Sequence, residues 1–378
     1  MRILIDARLY GYENTGIGRY IIGLITNLVK IDKKSNDSKN EYSIILRQKY
    51  FDTLKFPKNW KKILGEFRHY SLKEQILLPL IVYKEKPDIT HFLHFNVPIL
   101  YWGKYIVTIH DLLMHTQRGL EATTLPWFEY FIKRFGYRIA FDTAVYKSKI
   151  IIAPADFVRQ SIIDIYKINP SKIKRIYECA DKLELKSDLS IVKKSDLINK
   201  KYLFYVGNSY PHKNLKMGID AVIHYNLNNK TKIYYCIVSS RSFFTEKLNN
   251  YLKNKKGKEY IKIIGAVSDL DMGVLFKNSF GLLFPTVSEG FGIPGIEAMN
   301  YGTIILCSNI PILNEIYEDN AFYFDPKDVV SISKVISKAV SMSPTDRKNM
   351  LLKSSEFVKR YSWTKMAEET LKIYKSVV

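Results

Sequence analysis

Short apolar runs recur along the first half of the chain: RILIDA (2–7), YSIILR (42–47), PDITHF (87–92), YIVTIH (105–110) and KIIIAP (149–154). Each is too short for a helix core and is rich in β-branched residues, so each reads as a buried strand. Segments with apolar positions three and four apart lie between them, including 18–30, 72–84 and 126–141. These read as amphipathic helices. Such alternation predicts a parallel sheet with helices on both faces, an α/β class. The pattern breaks over the lysine-rich stretch 182–200. It restarts with YLFYVG (202–207), KIYYCIV (232–238), IKIIGA (261–266), GLLFP (281–285) and TIILCS (303–308). Two doubly wound, Rossmann-like domains are therefore expected, over 1–181 and 201–360, with 182–200 as linker. A last helix, 361–378, is expected to pack back toward the first domain. Folds of this kind bind ligands at the carboxyl ends of their strands.

One loop leaves a strand end with unusual content. SEGFGIPGIEAM (288–299) follows GLLFP and carries two acids eight positions apart, with glycines and apolar residues between them. Pro294 suits the first turn of a helix, where its missing N–H is tolerated. Gly302 suits a left-handed cap at that helix's end. Gly290, Phe291 and Gly292 are then expected at a helix N-terminus, which attracts anions and oxygen-rich ligands. Glu289 would precede that terminus and Glu297 would lie in its first turn. The glycines at 290, 292 and 295 are expected to clear space for a ligand, with the acids accepting hydrogen bonds from sugar and ribose hydroxyls.

VGNSYPHKNL (206–215) likewise leaves a strand and opens a helix. A lysine there, Lys213, reaches a bound diphosphate as a point charge. In TIHDLL (108–113), His110 stands at the end of a strand. By residue type it reads either as a satisfied core histidine or as a group facing a ligand. Asp111 either orients it or caps the next segment. NTGIGRY (14–20) opens a helix, but Gly16, Gly18 and Gly23 do not have dinucleotide-fingerprint spacing.

The formal net charge of +21 favours anionic partners: nucleotides, diphosphates, anionic lipid surfaces or nucleic acid. Abundant Lys, Asn, Ile and Tyr also fit AT-rich coding, so the charge alone does not choose among these. Three widely separated cysteines have no metal-binding spacing and read as reduced thiols. The first twenty residues lack the apolar stretch of a signal peptide, and no apolar run approaches the ~18 residues of a membrane span. A cytoplasmic location is expected.

These motifs together resemble family 4 of the retaining nucleotide-sugar glycosyltransferases, which have the two-domain GT-B fold and an E-x7-E motif. SEGFGIPGIEAM carries the E-x7-E pattern. VGNSYPHKNL, GAVSDLDMGVLFKNS (265–279), SNIPILNEI (308–316) and YSWTKMAEETLKIY (361–374) follow in family order, and TGIGRY and TIHDLL fit in the first half. The resemblance implies that the first domain binds the acceptor and the second the nucleotide sugar. Lys213 would neutralise the leaving diphosphate. A family arginine is replaced by Asn208, so the charge it would bring is missing, and His212 is expected to supply part of it. Donor-binding residues would be Asn208, Lys213, Gly290, Phe291, Gly292 and Glu297. Catalytic residues would be His110, near the reacting carbon, Glu289, on the donor sugar, and Lys213. Gly16, Gly18 and Arg19 would form a cleft loop near phosphate and acceptor.

The motif style is most similar to mannosyltransferases of polysaccharide assembly, which makes GDP-mannose the first expected donor. UDP-glucose, UDP-galactose and UDP-N-acetylhexosamines are alternatives. The expected acceptor is a growing, lipid-linked surface glycan. No cofactor is expected beyond the nucleotide-sugar co-substrate, and no nucleic acid partner. Rival readings are a nucleotide-sugar epimerase on the same fold and a non-catalytic basic protein that binds polyanions.

Two further segments bear on this. DLD (269–271) invites a metal, but Ser268 with Asp271 has the spacing of a helix cap, so metal-free chemistry is expected. In 125–149, Phe128, Ile132, Phe135 and Ile139 follow helical spacing and are expected to be core. Trp127, Tyr130 and the nearby cations Lys133, Arg134 and Arg138 are candidates for peripheral contact with an anionic membrane.

Overall fold

The computed structural model describes residues 1–34, 40–116, 126–180, 188–240 and 242–378. These fall into two compact units: 1–179 with 361–378, and 180–360.

The first unit opens with β1 (Arg2–Asp6), α1 (Thr15–Lys34), β2 (Glu41–Leu46), α2 (Gln48–Thr53), β3 (Trp60–Leu64), α3 (Leu72–Glu85), β4 (Ile89–Phe92) and β5 (Tyr105–Thr108). It continues through α4 (Leu113–Thr116), α5 (Trp127–Lys147), β6 (Ile150–Ala153), α6 (Asp156–Tyr166) and β7 (Ile173–Arg175). The strands form one parallel sheet in the order β3-β2-β1-β4-β5-β6-β7. Chain order reverses beside β1, where Asp6 pairs in register with Phe92 of β4. That reversal is the switch point of the sheet. Strands β4 and β5 are buried along their whole length, as parallel strands covered on both faces must be.

The second unit holds α7 (Ser190–Lys194), β8 (Tyr202–Val206), α8 (Leu215–Asn228), β9 (Tyr234–Val238), α9 (Phe243–Leu252), β10 (Ile261–Ile264) and α10 (Asp269–Asn278). Then come β11 (Gly281–Phe284), α11 (Ile293–Asn300), β12 (Ile304–Ser308), α12 (Pro311–Tyr317), β13 (Phe322–Phe324), α13 (Val329–Val340) and α14 (Pro344–Phe357). Its parallel sheet runs β10-β9-β8-β11-β12-β13. Here the switch point lies between β8 and β11. The loops that leave these two strands are the two motif-bearing loops, 207–214 and 285–292.

The chain then returns to the first unit as α15 (Trp363–Val377), capped by Ser362. It lies along α1, where a Cβ at Gly23 would fall 2.5 Å from the Trp363 ring. Glycine at that position lets the two helices approach.

Three expectations change. Residues 182–187 of the expected linker lie outside the described residues. From 188 onward that stretch belongs to the second unit, because Val192 and Leu197 bury their side chains in it. Gly16, Gly18 and Arg19 are not on a loop but within the first turns of α1. A Cβ at Gly18 would meet the Gly11 carbonyl oxygen at 1.8 Å, so this glycine serves backbone packing. Arg19 lies over the Tyr12 ring. The third change is larger. Phe128, Ile132, Phe135 and Ile139 face solvent on α5, with Ile132 69% and Phe135 71% exposed. The buried face is the opposite one: Tyr137, Ala140, Phe141, Ala144 and Val145. On that inward stripe Phe141 packs against Phe95 and Tyr166, with the small residues Ala140 and Ala144 beside it.

Candidate active site

The loops 207–214 and 285–292 of the second unit are stitched to each other by hydrogen bonds. The His212 carbonyl accepts from the Val287 amide (2.8 Å) and from the Thr286 hydroxyl (3.1 Å). Asn214 stands in the left-handed region at φ 56° and donates its side-chain amide to the carbonyls of Pro285 (3.0 Å) and Pro326 (2.8 Å). Asn214 therefore ties both loops and the β13 end together, a role its place in the motif did not reveal.

Between the stitched loops, Lys213 Nζ donates to Glu289 Oε1 at 2.6 Å. The side chains are only 15% and 10% exposed. The cation and the acid expected in the site are thus direct partners. Asn208 is held by its backbone, whose carbonyl accepts from the Tyr205 hydroxyl (2.8 Å). His212 does not replace the missing arginine. Burial, with the Lys213 charge beside it, pushes the imidazole down to about 3, so it is neutral at physiological pH.

The helix after Glu289 starts at Ile293, with Gly292 at its N-cap (φ 96°) and Pro294 in the first turn. Glu297 is the fifth residue of α11, beyond the first turn, and is buried. Phe291 is buried and Gly290 half-buried. The glycines have a different reason from the expected one. The Tyr317 hydroxyl donates to the Gly292 carbonyl (2.5 Å) and accepts from the Gly295 amide (3.2 Å). A Cβ at Gly292 would fall 2.6 Å from that hydroxyl, and one at Gly295 would fall 2.2 Å from Tyr317 Cζ. Positions 292 and 295 are bare because Tyr317 fills the space and clamps the turn.

In the first unit His110 is buried at the end of β5. Nδ1 lies 2.8 Å from Glu178 Oε1 and Nε2 lies 3.0 Å from the Leu93 carbonyl oxygen. Both partners are acceptors, so both ring nitrogens donate. Burial opposes the charged ring, but the hydrogen bond and charge of Glu178 outweigh it and hold the pKa above the ordinary value. The orienting acid is therefore Glu178. Asp111 instead accepts from the Leu113 amide (2.9 Å) and caps α4. Behind His110 runs a buried relay: Tyr20 packs edge-on to the ring, its hydroxyl meets Thr108, Thr108 meets His91, and His91 meets Tyr374 of α15. Glu178 and Tyr374 carry no local signal that would have linked them to His110.

At α10, Asp271 donates its amide to Ser268 Oγ (3.1 Å), and the Ser268 hydroxyl lies 2.7 Å from Asp271 Oδ2. The DLD acids sit at an ordinary helix cap.

Comparison with known proteins agrees with this architecture. Residues 190–353 match the family described as "Glycosyl transferases group 1". The chain is 27% identical over 286 residues to the O-antigen chain mannosyltransferase RfbU of Salmonella typhimurium, a match spanning 73% of this chain and 70% of that protein. A glycosyltransferase from Rickettsia africae ESF-5 superposes with a TM-score of 0.72 at 19% identity, over 100% of this chain and 98% of that one. HepE of Anabaena, solved in complex with UDP and glucose, superposes with a TM-score of 0.73 at 15% identity over 100% of both chains. With two parallel doubly wound sheets the chain has the GT-B fold, its residues 190–353 are similar to glycosyl transferases group 1, and its sequence is mannosyltransferase-like.

Proposed function

We propose that this protein is a retaining, metal-independent hexosyltransferase of family 4, with E-x7-E acids Glu289 and Glu297. It moves a sugar from a nucleotide diphosphate, first of all mannose from GDP-mannose, to a hydroxyl of a growing lipid-linked glycan. The observation that carries this reading is the Lys213–Glu289 pair at the second unit's switch point. It puts a cation for a diphosphate beside a carboxylate for sugar hydroxyls, at the position where α/β sheets bind ligands. The RfbU likeness supports mannose and a glycan acceptor, and the HepE complex supports a nucleotide-sugar donor.

In the reaction the bond from the anomeric carbon to the diphosphate oxygen breaks, and its electron pair leaves with the diphosphate. Lys213 and the amides at 290–292 stabilise that charge, a preorganised electrostatic effect. The acceptor oxygen attacks from the same face, and its proton passes to the departing phosphate. Glu289 holds the donor-sugar hydroxyls and Glu297 the ribose. The family resemblance assigns His110 to the donor sugar. With both nitrogens donating to acceptors of its own unit, it acts by position rather than as a base. No cofactor takes part.

The protein works on the cytoplasmic side, held peripherally to an anionic membrane. The exposed α5 face, Trp127, Phe128, Phe131, Ile132 and Phe135, with Lys133, Arg134 and Arg138 beside it, supports this. Among the described residues no helix is long and apolar enough to cross a membrane.

The test is a thermal-shift screen of GDP-mannose, UDP-glucose, UDP-galactose and UDP-N-acetylglucosamine, followed by mass analysis of products. One nucleobase should stabilise the fold, and its hexose should appear on an acceptor. Equal response to all nucleotides and to inorganic polyphosphate would instead mark a polyanion binder. Conversion of the free donor into an epimer would mark an epimerase.

A further inference from the structure

The first unit's switch point holds a polar network that the reaction above does not use. Arg8, 1% exposed, donates through Nε and Nη2 to Asp6 (2.8 and 2.7 Å) and through Nη2 to Glu74 (2.7 Å). Glu74 Oε2 accepts from the Asn96 amide and from the backbone N–H of Tyr70, both at 2.7 Å. Charge buried at this depth is a scaffold, and what it grips is the backbone of Tyr70. Tyr70 stands at φ 62°. A bulky residue in the left-handed region is strained, and it persists only where its surroundings impose it. Yet the ring so positioned is not packed away: Tyr70 is 54% exposed.

Two histidines flank that ring, His69 at 6.4 Å and His94 at 6.2 Å between centroids. The Arg47 guanidinium lies 3.3 Å from His69 Nδ1, and the Asn96 backbone N–H donates to His94 Nδ1 at 3.3 Å. Guanidinium and amide only donate, so each Nδ1 presents a lone pair. Both rings are neutral. Burial pushes both down, His69 to about 4 with Arg8 adding, and His94 well below its ordinary value with His110 adding. The single proton of each neutral ring is therefore on Nε2. Neither Nε2–H meets a protein acceptor among the described residues. With a proton on each Nε2, the pair offers no lone pair to a metal. It offers two neutral donors beside an exposed aromatic face, which suits a ligand with an apolar ring face edged by hydroxyl oxygens.

We propose that Tyr70, His69 and His94 form a pyranose-binding subsite for the acceptor glycan. The C–H face of the sugar lies on the Tyr70 ring, and its hydroxyl oxygens accept from the two Nε2–H groups. The assignment rests on the reading of the protein as a glycan-extending transferase and names where that glycan is held.

The test uses the full chain without donor, titrated to tens of millimolar with the methyl glycosides of mannose, glucose, galactose and N-acetylglucosamine. Long-range imidazole nitrogen–proton spectra report each ring. One glycoside should shift His69 and His94 saturably and leave His91 unmoved. Tyr70→Asn keeps a residue that accepts the left-handed backbone and should weaken this response about tenfold, the size of one ring contact. His94→Phe keeps ring volume and removes a donor, and should weaken it similarly. With a working donor–acceptor pair, both variants should raise the acceptor KM about tenfold and leave the donor KM unchanged. Absence of any shift at His69 and His94, or a shift that Tyr70→Asn does not diminish, overturns the subsite. So does an unchanged acceptor KM in both variants when their melting temperatures match the wild type. Saturable glycoside binding here with no transfer from any nucleotide sugar supports the subsite and overturns the transferase reading instead.

Discussion

Glu289→Gln separates two roles that otherwise fail together. In the donor-free protein, Glu289 is the partner of Lys213 at 2.6 Å, with both side chains largely buried. A nucleoside diphosphate must compete with Glu289 for that ammonium. Glutamine keeps the shape of the side chain and removes the competing charge. The pair lies between an exposed ion pair, worth about 0–1 kcal/mol, and a buried one, whose disruption costs about 3–5 kcal/mol. A release of about 1 kcal/mol is therefore expected, roughly a fivefold gain in affinity for free GDP or UDP. Nothing opposes that gain, because the free nucleotide lacks the donor sugar that Glu289 is proposed to hold. Turnover should move the other way. A hydrogen bond to a charged group is worth about 1.5–3 kcal/mol, so kcat should fall about 10- to 150-fold. Lys213→Met gives the complementary result. Free nucleotide should bind about 10- to 150-fold more weakly, and kcat should fall about 10²- to 10³-fold as for loss of one preorganised donor. Calorimetry with GDP and UDP, set beside steady-state transfer rates, measures both columns. The reasoning fails if Glu289→Gln weakens free nucleotide as much as Lys213→Met does, or if it leaves turnover intact.

Gly295→Ala drives a Cβ into Tyr317 and should lower stability by about 1–3 kcal/mol, read as a drop in melting temperature. His110 has a folded-state pKa raised above the ordinary value, so its stabilising contribution is present below that value and lost as pH rises through the folded one. Urea unfolding at about pH 6 and about pH 9 should therefore show the wild type's advantage over Glu178→Gln shrinking at the higher pH; an equal gap at both would remove the charge from the argument. Transfer activity should survive EDTA, and loss restored by manganese or magnesium would return Asp269 and Asp271 to consideration as ligands. Vesicles containing anionic lipid should retain the protein, and high salt should weaken the association as the Debye length falls from about 10 Å at 0.1 M to about 3 Å at 1 M. Replacing Phe131 and Phe135 with serine should weaken it too, whereas unchanged vesicle binding would exclude the α5 face.

Local pattern carried the fold a long way. Runs of four to six apolar residues between amphipathic segments determine two parallel sheets, because such strands need cover on both faces and such helices need a face to cover. Motif position also placed the two motif-bearing loops of the second unit, since a loop that follows a strand must emerge at its carboxyl end. Partners were another matter. Lys213 and Glu289 are 76 residues apart, and His110 and Glu178 are 68 apart. Strand order, not any nearby residue, makes each pair adjacent. By sequence the bare positions 292 and 295 read as room for a ligand, but Tyr317, from another helix, occupies that room. The same limit explains α5. Helical spacing identifies apolar stripes but cannot choose between two of them. Tertiary packing takes the stripe of Tyr137, Phe141 and Val145 inward and leaves Phe128, Ile132 and Phe135 in solvent. Tyr70 is the plainest case: its strained backbone is imposed by Arg8, Glu74 and Asn96, residues that meet only once the sheet has formed.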